Sequence, residues 1–258
     1  MRHNVLYTLG FAAAVCLVCS ILVSGSAVSL KDLQDINKAK YRQQNVLMAA
    51  GLLKAGEKIS DEELARRFAS IKPVVVDLKT HEELPDVDPT TVDQKKMTTD
   101  PRMSFAVEKN AAQVQRMAQQ AVVFKKFDDQ GKLEMVILPV EGKGLWSTLY
   151  GFLALSSDFR TIEGLAFYEH KETPGLGGEV DNPSWKALWP GRKAYDDDWN
   201  VEIEVIKGQA GPPSEAPYKV DGMSGATITS RGVTHLIQFW LGETGFEPYL
   251  KKLERSAA

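Results

Sequence analysis

Asp221-Gly222-Met223-Ser224-Gly225-Ala226-Thr227, followed by Ile228-Thr229-Ser230, is the stretch from which the rest of this chain is read. Gly225 and Ala226 are small and leave the Thr227 hydroxyl uncrowded. Downstream, Ile228, Leu236, Ile237, Phe239 and Trp240 recur at helical spacing, and the run stops at Gly242. The pattern predicts a helix over about 226–241 with Thr227 at its N-terminus. A helix start offers unpaired backbone N–H groups and the positive end of the dipole, which suits a phosphate. A threonine hydroxyl held there can carry a phosphate ester. The alternative is an ordinary helix start, with Ser224 as the cap and Thr227 incidental.

Working outward, composition narrows the class. The chain has 258 residues, 43% of them hydrophobic and 25% charged, enough for one sizeable domain and an appendage. Net charge is −3 and no long Lys/Arg run appears, which argues against nucleic-acid binding. The two cysteines, Cys16 and Cys19, both fall in the N-terminal apolar stretch. Beyond it there is no thiol for a disulfide, a thiolate zinc site or an iron–sulfur cluster, so an electron carrier here would be organic. Cys16-Leu17-Val18-Cys19 has redox-pair spacing but reads as small apolar residues of a membrane helix. From Asn4 to Leu30 no residue is charged, and about 20 apolar residues cross a bilayer core. The run is longer than a signal-peptide core, so residues 1–30 are read as a retained transmembrane anchor rather than a leader cleaved near Ser24-Gly25-Ser26-Ala27. Arg2 precedes the span, and Lys31, Lys38, Lys40 and Arg42 follow it. Taken alone, that charge pattern leans towards a cytoplasmic C-terminal domain, although large domains translocate largely regardless of charge.

Residues 31–120 read as a mainly helical or irregular membrane-proximal segment, with a helix from Lys31 towards Gly51. Ser60-Asp61-Glu62-Glu63 is a capping box before Leu64, Phe68 and Ile71. Pro73 is read as ending that helix and Val74-Val75-Val76 as opening a strand. Residues 80–103 are polar and proline-bearing, a loop, and Asn110–Gln120 a short helix. Over 121–258 the chain turns β-rich. Ala121–Phe127 and Leu133–Val140 flank Asp128-Asp129-Gln130-Gly131, a hairpin signal. Trp146–Leu155 and Thr161–His170 flank a second turn, and Val201–Ile206 and Tyr218–Val220 are shorter strands. Helices, then strands, then a helix argue an α+β domain with an antiparallel sheet and flanking helices. No Gly-x-Gly-x-x-Gly or Walker motif follows a strand, which excludes a Rossmann crevice and ATP hydrolysis.

Two more stretches carry chemistry. In Glu141-Gly142-Lys143-Gly144-Leu145-Trp146-Ser147-Thr148-Leu149-Tyr150-Gly151 the glycines allow close backbone approach, and Leu145, Trp146 and Tyr150 can wall a flat ring. The plainer reading is a β-bulge beside a core tryptophan. In His170-Lys171-Glu172-Thr173-Pro174-Gly175-Leu176-Gly177-Gly178-Glu179 a Gly/Pro loop can present backbone N–H groups to a ligand, or simply connect two elements.

Asp221–Thr227 resembles the flavinylation motif of the FMN-binding domain family, Asp-x-x-Ser/Thr-Gly-Ala-Thr, in which the last threonine is joined to the 5′-phosphate of FMN by a flavin transferase that uses FAD. The Gly-Leu-Trp and Glu-Thr-Pro-Gly-Leu-Gly stretches resemble motifs of the same family, in the same order. The resemblance implies covalent FMN on Thr227, with Ser224, Gly225 and Ala226 shaping the attachment turn and Thr229 and Ser230 bonding the phosphate. It further implies ring contacts from Leu145, Trp146, Leu176 and Gly177, with Glu172 and Thr173 on the polar side and Ser147 also binding the cofactor. Asp221 is either an aid to the transferase or a turn aspartate, and His170 and His235 receive no role.

Across essentially its whole length the chain resembles the C-subunit family of sodium-translocating NADH:quinone oxidoreductases. This implies a subunit that relays electrons, with NADH and ubiquinone handled by other subunits and no turnover by this chain alone. It also implies residence in the bacterial inner membrane with the domain on the periplasmic, extracytoplasmic side, against the lean of the charge pattern. The G subunit of the related Rnf electron-transport complex is the alternative within this class. An anchored binding or scaffold domain without a cofactor is the alternative outside it.

Overall fold

The computed structural model describes residues 5–257, which fall into two compact units, one up to Arg42 and one from Gln43 onward. In the first, α1 (Val5–Ser29) is 25 residues long, buries no side chain and has a mean hydropathy of 2.3, so it is long and apolar enough to cross a membrane. Both cysteines are exposed thiols on it. Next comes α2 (Lys31–Ala49), whose charged first residues give way to the buried Val46, Leu47 and Ala49.

The second unit continues with α3 (Asp61–Phe68), β1 (Ile71–Asp77), α4 (Gln94–Met97), β2 (Ser104–Ala106) and β3 (Arg116–Ala118). There follow β4 (Gln120–Phe127), β5 (Leu133–Lys143), β6 (Thr148–Ser156), β7 (Ile162–Glu169), α5 (Pro183–Lys186), β8 (Glu204–Val205), β9 (Lys219–Val220), α6 (Thr227–Leu241) and α7 (Glu247–Ala257). The main sheet has five strands in the order β1-β4-β5-β6-β7, antiparallel throughout. Beside it, β2–β3 is a small antiparallel pair and β8–β9 a parallel one. This is the α+β class with an antiparallel sheet and flanking helices that the sequence predicts.

Both faces of the sheet are covered. On one, Val140, Leu149, Leu153 and Phe167 meet Leu236, Ile237 and Trp240 of α6 and Tyr249 and Leu250 of α7. On the other, Ile137, Phe152 and Ala166 meet Val46 and Leu47 of α2 and Leu64 of α3. Burial on both faces explains why β5 is buried without a break from Met135 to Gly142 instead of alternating. Each such leucine or phenylalanine contributes about 1.5–3 kcal/mol, and this packing fixes the end of β5 and the start of α6 next to each other.

Several local readings hold. Ser60 caps α3, its Oγ accepting the Glu63 N–H at 3.2 Å. The β4–β5 turn is stapled by Asp128, whose Oδ1 accepts the N–H groups of Gln130 and Lys132. Others are corrected. Ile71 and Pro73 lie within β1, and Pro73 is accommodated because β1 is an edge strand. No helix forms over Asn110–Gln120. Gln113 takes a positive φ of 56° in a turn, and the chain enters β3 and then β4. The segment over 31–120 does not end as a piece of its own, because β1 pairs with β4 along its whole length. The last helix, α7, goes beyond what the sequence reading foresaw.

Candidate functional site

The three motif stretches meet at one carboxylate. The chain between β5 and β6 tightens at Gly144, whose N–H donates to Ser147 O at 2.8 Å. The next three N–H groups all point at Glu172: Leu145 donates to Oε2 at 3.1 Å, and Trp146 and Ser147 donate to Oε1 at 2.9 and 3.1 Å. From α6, Thr229 Oγ1 donates to Oε2 at 2.7 Å. Glu172 is only 5% exposed. Burial alone would raise its pKa, but these bonds outweigh it and hold the carboxyl below its ordinary value, ionised. The carboxylate thus ties the Gly-Leu-Trp loop, the Glu-Thr-Pro-Gly-Leu-Gly loop and the start of α6 into one body. Ser147 adds a stitch, its Oγ accepting the Lys171 N–H at 2.7 Å.

Thr227 is the first residue of α6 and is exposed. Ala226 occupies the cap position and supplies no side-chain bond, so Ser224, also exposed, does not cap the helix. The turn before it depends on Gly225, whose φ of +71° disfavours other residues; a Cβ there would sit 2.9 Å from Leu176 Cδ2. The Leu176 loop therefore lies directly against this turn. Gly177 is required by contact: its Cβ would fall 2.5 Å from Thr229 Oγ1 and 2.7 Å from Glu172 Oε2. The Thr173 side chain is exposed, while its carbonyl accepts the N–H groups of Leu176 and Gly178.

Thr229 and Ser230 do not share the exposed surface of Thr227. Both are buried; Thr229 is bonded to Glu172, and Ser230 Oγ accepts the Met223 N–H at 3.2 Å. They brace the turn from inside. Glu172 likewise lies beneath the site as a strut rather than on an open polar side. Asp221 is a turn aspartate: Oδ1 accepts the Ala210 N–H at 2.8 Å, and its carbonyl accepts Trp185 Nε1–H at 2.9 Å.

Around Thr227 the apolar side chains that remain open are conspicuous. Leu145, Leu176 and Ile228 are exposed, and Trp146 is 66% exposed, so the tryptophan is not a core residue. A groove of about 970 Å³ also reaches Thr227, lined by Ser224, Gly225, Lys207, Arg231 and His235 among others. Arg231 makes no hydrogen bond or ion pair among the described residues. It lies four residues beyond Thr227, on the same helix face, a spacing visible in the sequence. No group of three or more His, Cys, Asp or Glu side chains suited to a metal occurs among the described residues. An uncapped helix start bearing an exposed hydroxyl, next to open apolar side chains, fits a ligand with an anionic end and a flat apolar ring.

The comparisons agree with that geometry. Residues 144–242 match the FMN-binding domain, from the Gly-Leu-Trp loop to the end of α6. The chain is similar to the C subunit of the Na(+)-translocating NADH-quinone reductase of Pseudomonas aeruginosa, 45% identical over 255 residues and 97% of each chain. It is 42% identical to the protein of the same name from Yersinia pestis, over 97% of this chain and 93% of that one. Among solved structures, that of Shewanella oneidensis NqrC superposes with a TM-score of 0.76 at 39% identity, covering 84% of this chain and 99% of the other. These likenesses favour the reductase over the Rnf alternative. Similarity this deep, running from the apolar helix to the last turn of the domain, shows that the chain belongs to the C-subunit family of Na(+)-translocating NADH-quinone reductases.

Proposed function

We propose that Thr227 carries FMN as a phosphoester and that the chain serves its reductase complex as a tethered electron relay. The observation that carries this reading is the exposed Thr227 hydroxyl at a helix start that no side chain caps, flanked by the exposed Leu176 and Ile228. Ser224, Gly225 and Ala226 would shape the attachment turn. The first-turn N–H groups of α6 would face the phosphate, and Arg231 supplies a cation in the same groove. Leu145, Trp146 and Leu176 would border the ring. When bound, FMN supplies one- and two-electron redox chemistry. The residues here hold, orient and partly desolvate, and none is required as an acid or base.

A covalent bond has a physical reason in this setting. A dissociable cofactor loses about 1.4 kcal/mol of binding for each tenfold dilution, and the helix dipole returns only about 0.3–1 kcal/mol. A phosphoester is indifferent to dilution. The domain would face the periplasm, where a separate flavin transferase attaches the group, and neighbouring subunits would oxidise NADH and reduce ubiquinone. A C-terminal alkaline phosphatase fusion, active in intact cells only if exported, tests the orientation.

The deciding experiment is mass spectrometry of the denatured Thr227 peptide from protein made with its transferase, beside Thr227→Ala. An FMN adduct on Thr227 that disappears in the variant is the expected result. An unmodified peptide from cells with a verified active transferase would refute the reading.

A further inference from the structure

Just after β7, three consecutive residues tie the chain to its surroundings through different atoms. Lys171 uses its N–H on Ser147, and Glu172 uses its carboxylate on the Gly-Leu-Trp loop. His170 holds the backbone of Glu172 itself. The Glu172 N–H lies 3.2 Å from His170 Nδ1, and His170 Nε2 lies 2.7 Å from Asp181 Oδ2. A backbone N–H can only donate, so Nδ1 must present its lone pair. The proton of a neutral ring is then on Nε2, where Asp181 accepts it. Asp181 is fixed in turn by Lys186 Nζ, 3.1 Å from its other oxygen. Although burial raises the Asp181 pKa, the bonds to His170 and Lys186 outweigh it and keep the carboxyl below its ordinary range. The imidazole is 14% exposed, and the Glu172 N–H to Nδ1 bond is partly buried, while the Asp181 side chain is 43% exposed.

We infer that His170 is a positioning residue, held as its Nε2–H tautomer by Asp181 so that Nδ1 anchors the Glu172 backbone and aims its carboxylate at the Leu145–Ser147 amides. The role rests on the flavin reading of this site, because what it positions is the loop that would border the ring. It is distinct from Glu172's own bonds. Glu172 supplies the acceptor, and the Asp181–His170 pair fixes where that acceptor stands.

The test begins without flavin, on the full chain in detergent with ¹⁵N-labelled histidine. Nitrogen shifts are expected to show His170 unprotonated at Nδ1 and protonated at Nε2. In Asp181→Asn, Lys186 can only donate and so claims the amide oxygen. The amide NH₂ is then turned on Nε2, which drives the ring proton to Nδ1. Amide exchange at Glu172 and at Leu145–Ser147 should then speed up about fivefold, the worth of one hydrogen bond. His170→Phe should do the same. His170→Asn, whose Oδ1 can stand where Nδ1 stood, should return exchange close to wild type. A ring protonated at Nδ1 in the wild type, or equal exchange in all four proteins, overturns the inference.

On flavin-loaded protein the midpoint potential should move in Asp181→Asn and His170→Phe and stay near wild type in His170→Asn. Unchanged potentials in loaded variants would overturn the link to the ring. If the tautomer and exchange results hold while no flavin is attached to the wild type, the positioning role stands and the flavin reading falls.

Discussion

Glu141 and Glu172 sit in the same part of the molecule, one near the end of β5 and the other in the loop after β7, and both are nearly closed to solvent at 8% and 5% exposure. Their electrostatics are opposite. Glu172 receives three backbone N–H groups and a hydroxyl and is held ionised. The Glu141 carboxylate receives no hydrogen bond among the described residues. Burial pushes it up to about 7, with the charge of Lys95 pulling weakly the other way. What Glu141 contributes to the fold is its carbonyl, which accepts Trp240 Nε1–H at 2.7 Å. Burial therefore does not decide whether a carboxyl keeps its charge; the donors around it do. The charged one is the strut of the candidate site, and the other is a titrating group in the wall of a separate cavity of about 400 Å³ shared with Tyr150 and Thr148.

The largest break in this comparison should come from Glu172→Ala. It strands three loop amides and the Thr229 hydroxyl, and a loss of about 3 kcal/mol is expected, read from the urea midpoint, with lower flavin occupancy. Glu141→Gln should do the reverse. A carboxyl whose native pKa lies above its unfolded value favours folding while protonated, and that advantage is lost as pH rises from about 4.5 to about 7. The variant should gain on the order of 3 kcal/mol at pH 8 and almost nothing at pH 4. If its stability advantage is the same at both pH values, the raised pKa is wrong.

A single acid titration of the wild type then sharpens the contrast. Stability should rise as pH falls from 8 to about 5 while Glu141 takes up its proton. It should then fall below the ordinary glutamate value of 4.5 as Glu172 protonates and loses its role as a four-fold acceptor. Gly225→Ala should cost about 1–2 kcal/mol, from the positive φ and the contact with Leu176, without altering the pH slope. The smallest effect belongs to Lys95→Met. It removes the opposing cation and should carry the Glu141 transition slightly further up, measured as a displaced midpoint of the same titration.

Most of the architecture was legible because it is local. The Ser60 box, the Asp128–Gly131 turn and the span of α6 each follow from a few neighbouring residues. The start of β1 was less so: Val74-Val75-Val76 reads as a strand, but Pro73 looks like a helix stop unless one knows that β1 lies at an edge. Asn110–Gln120 contains apolar residues at helix-compatible spacing, but Asn110 turns the chain, its side chain bonding both the N–H and the carbonyl of Val114. The signal for α7 was present, since Phe246, Tyr249, Leu250 and Leu253 fall on one helical face. In the site, Thr227, Leu145, Trp146 and Leu176 are exposed. Glu172, Thr229 and Ser230 could be named but not placed. Their partners lie from 7 to 57 residues away, and nothing in a linear pattern says which polar residue will face inward. The Asp181–His170 pair was invisible for the same reason.

The open side chains of Leu145, Trp146, Leu176 and Ile228 have a consequence for biogenesis. Until something lies over them, a newly made chain shows these apolar side chains to water, and exposed apolar surface of this kind drives self-association. On the proposed flavin reading, cells lacking the transferase should accumulate this protein as aggregates or degradation products, and Trp146→Ser should relieve that burden without restoring any colour.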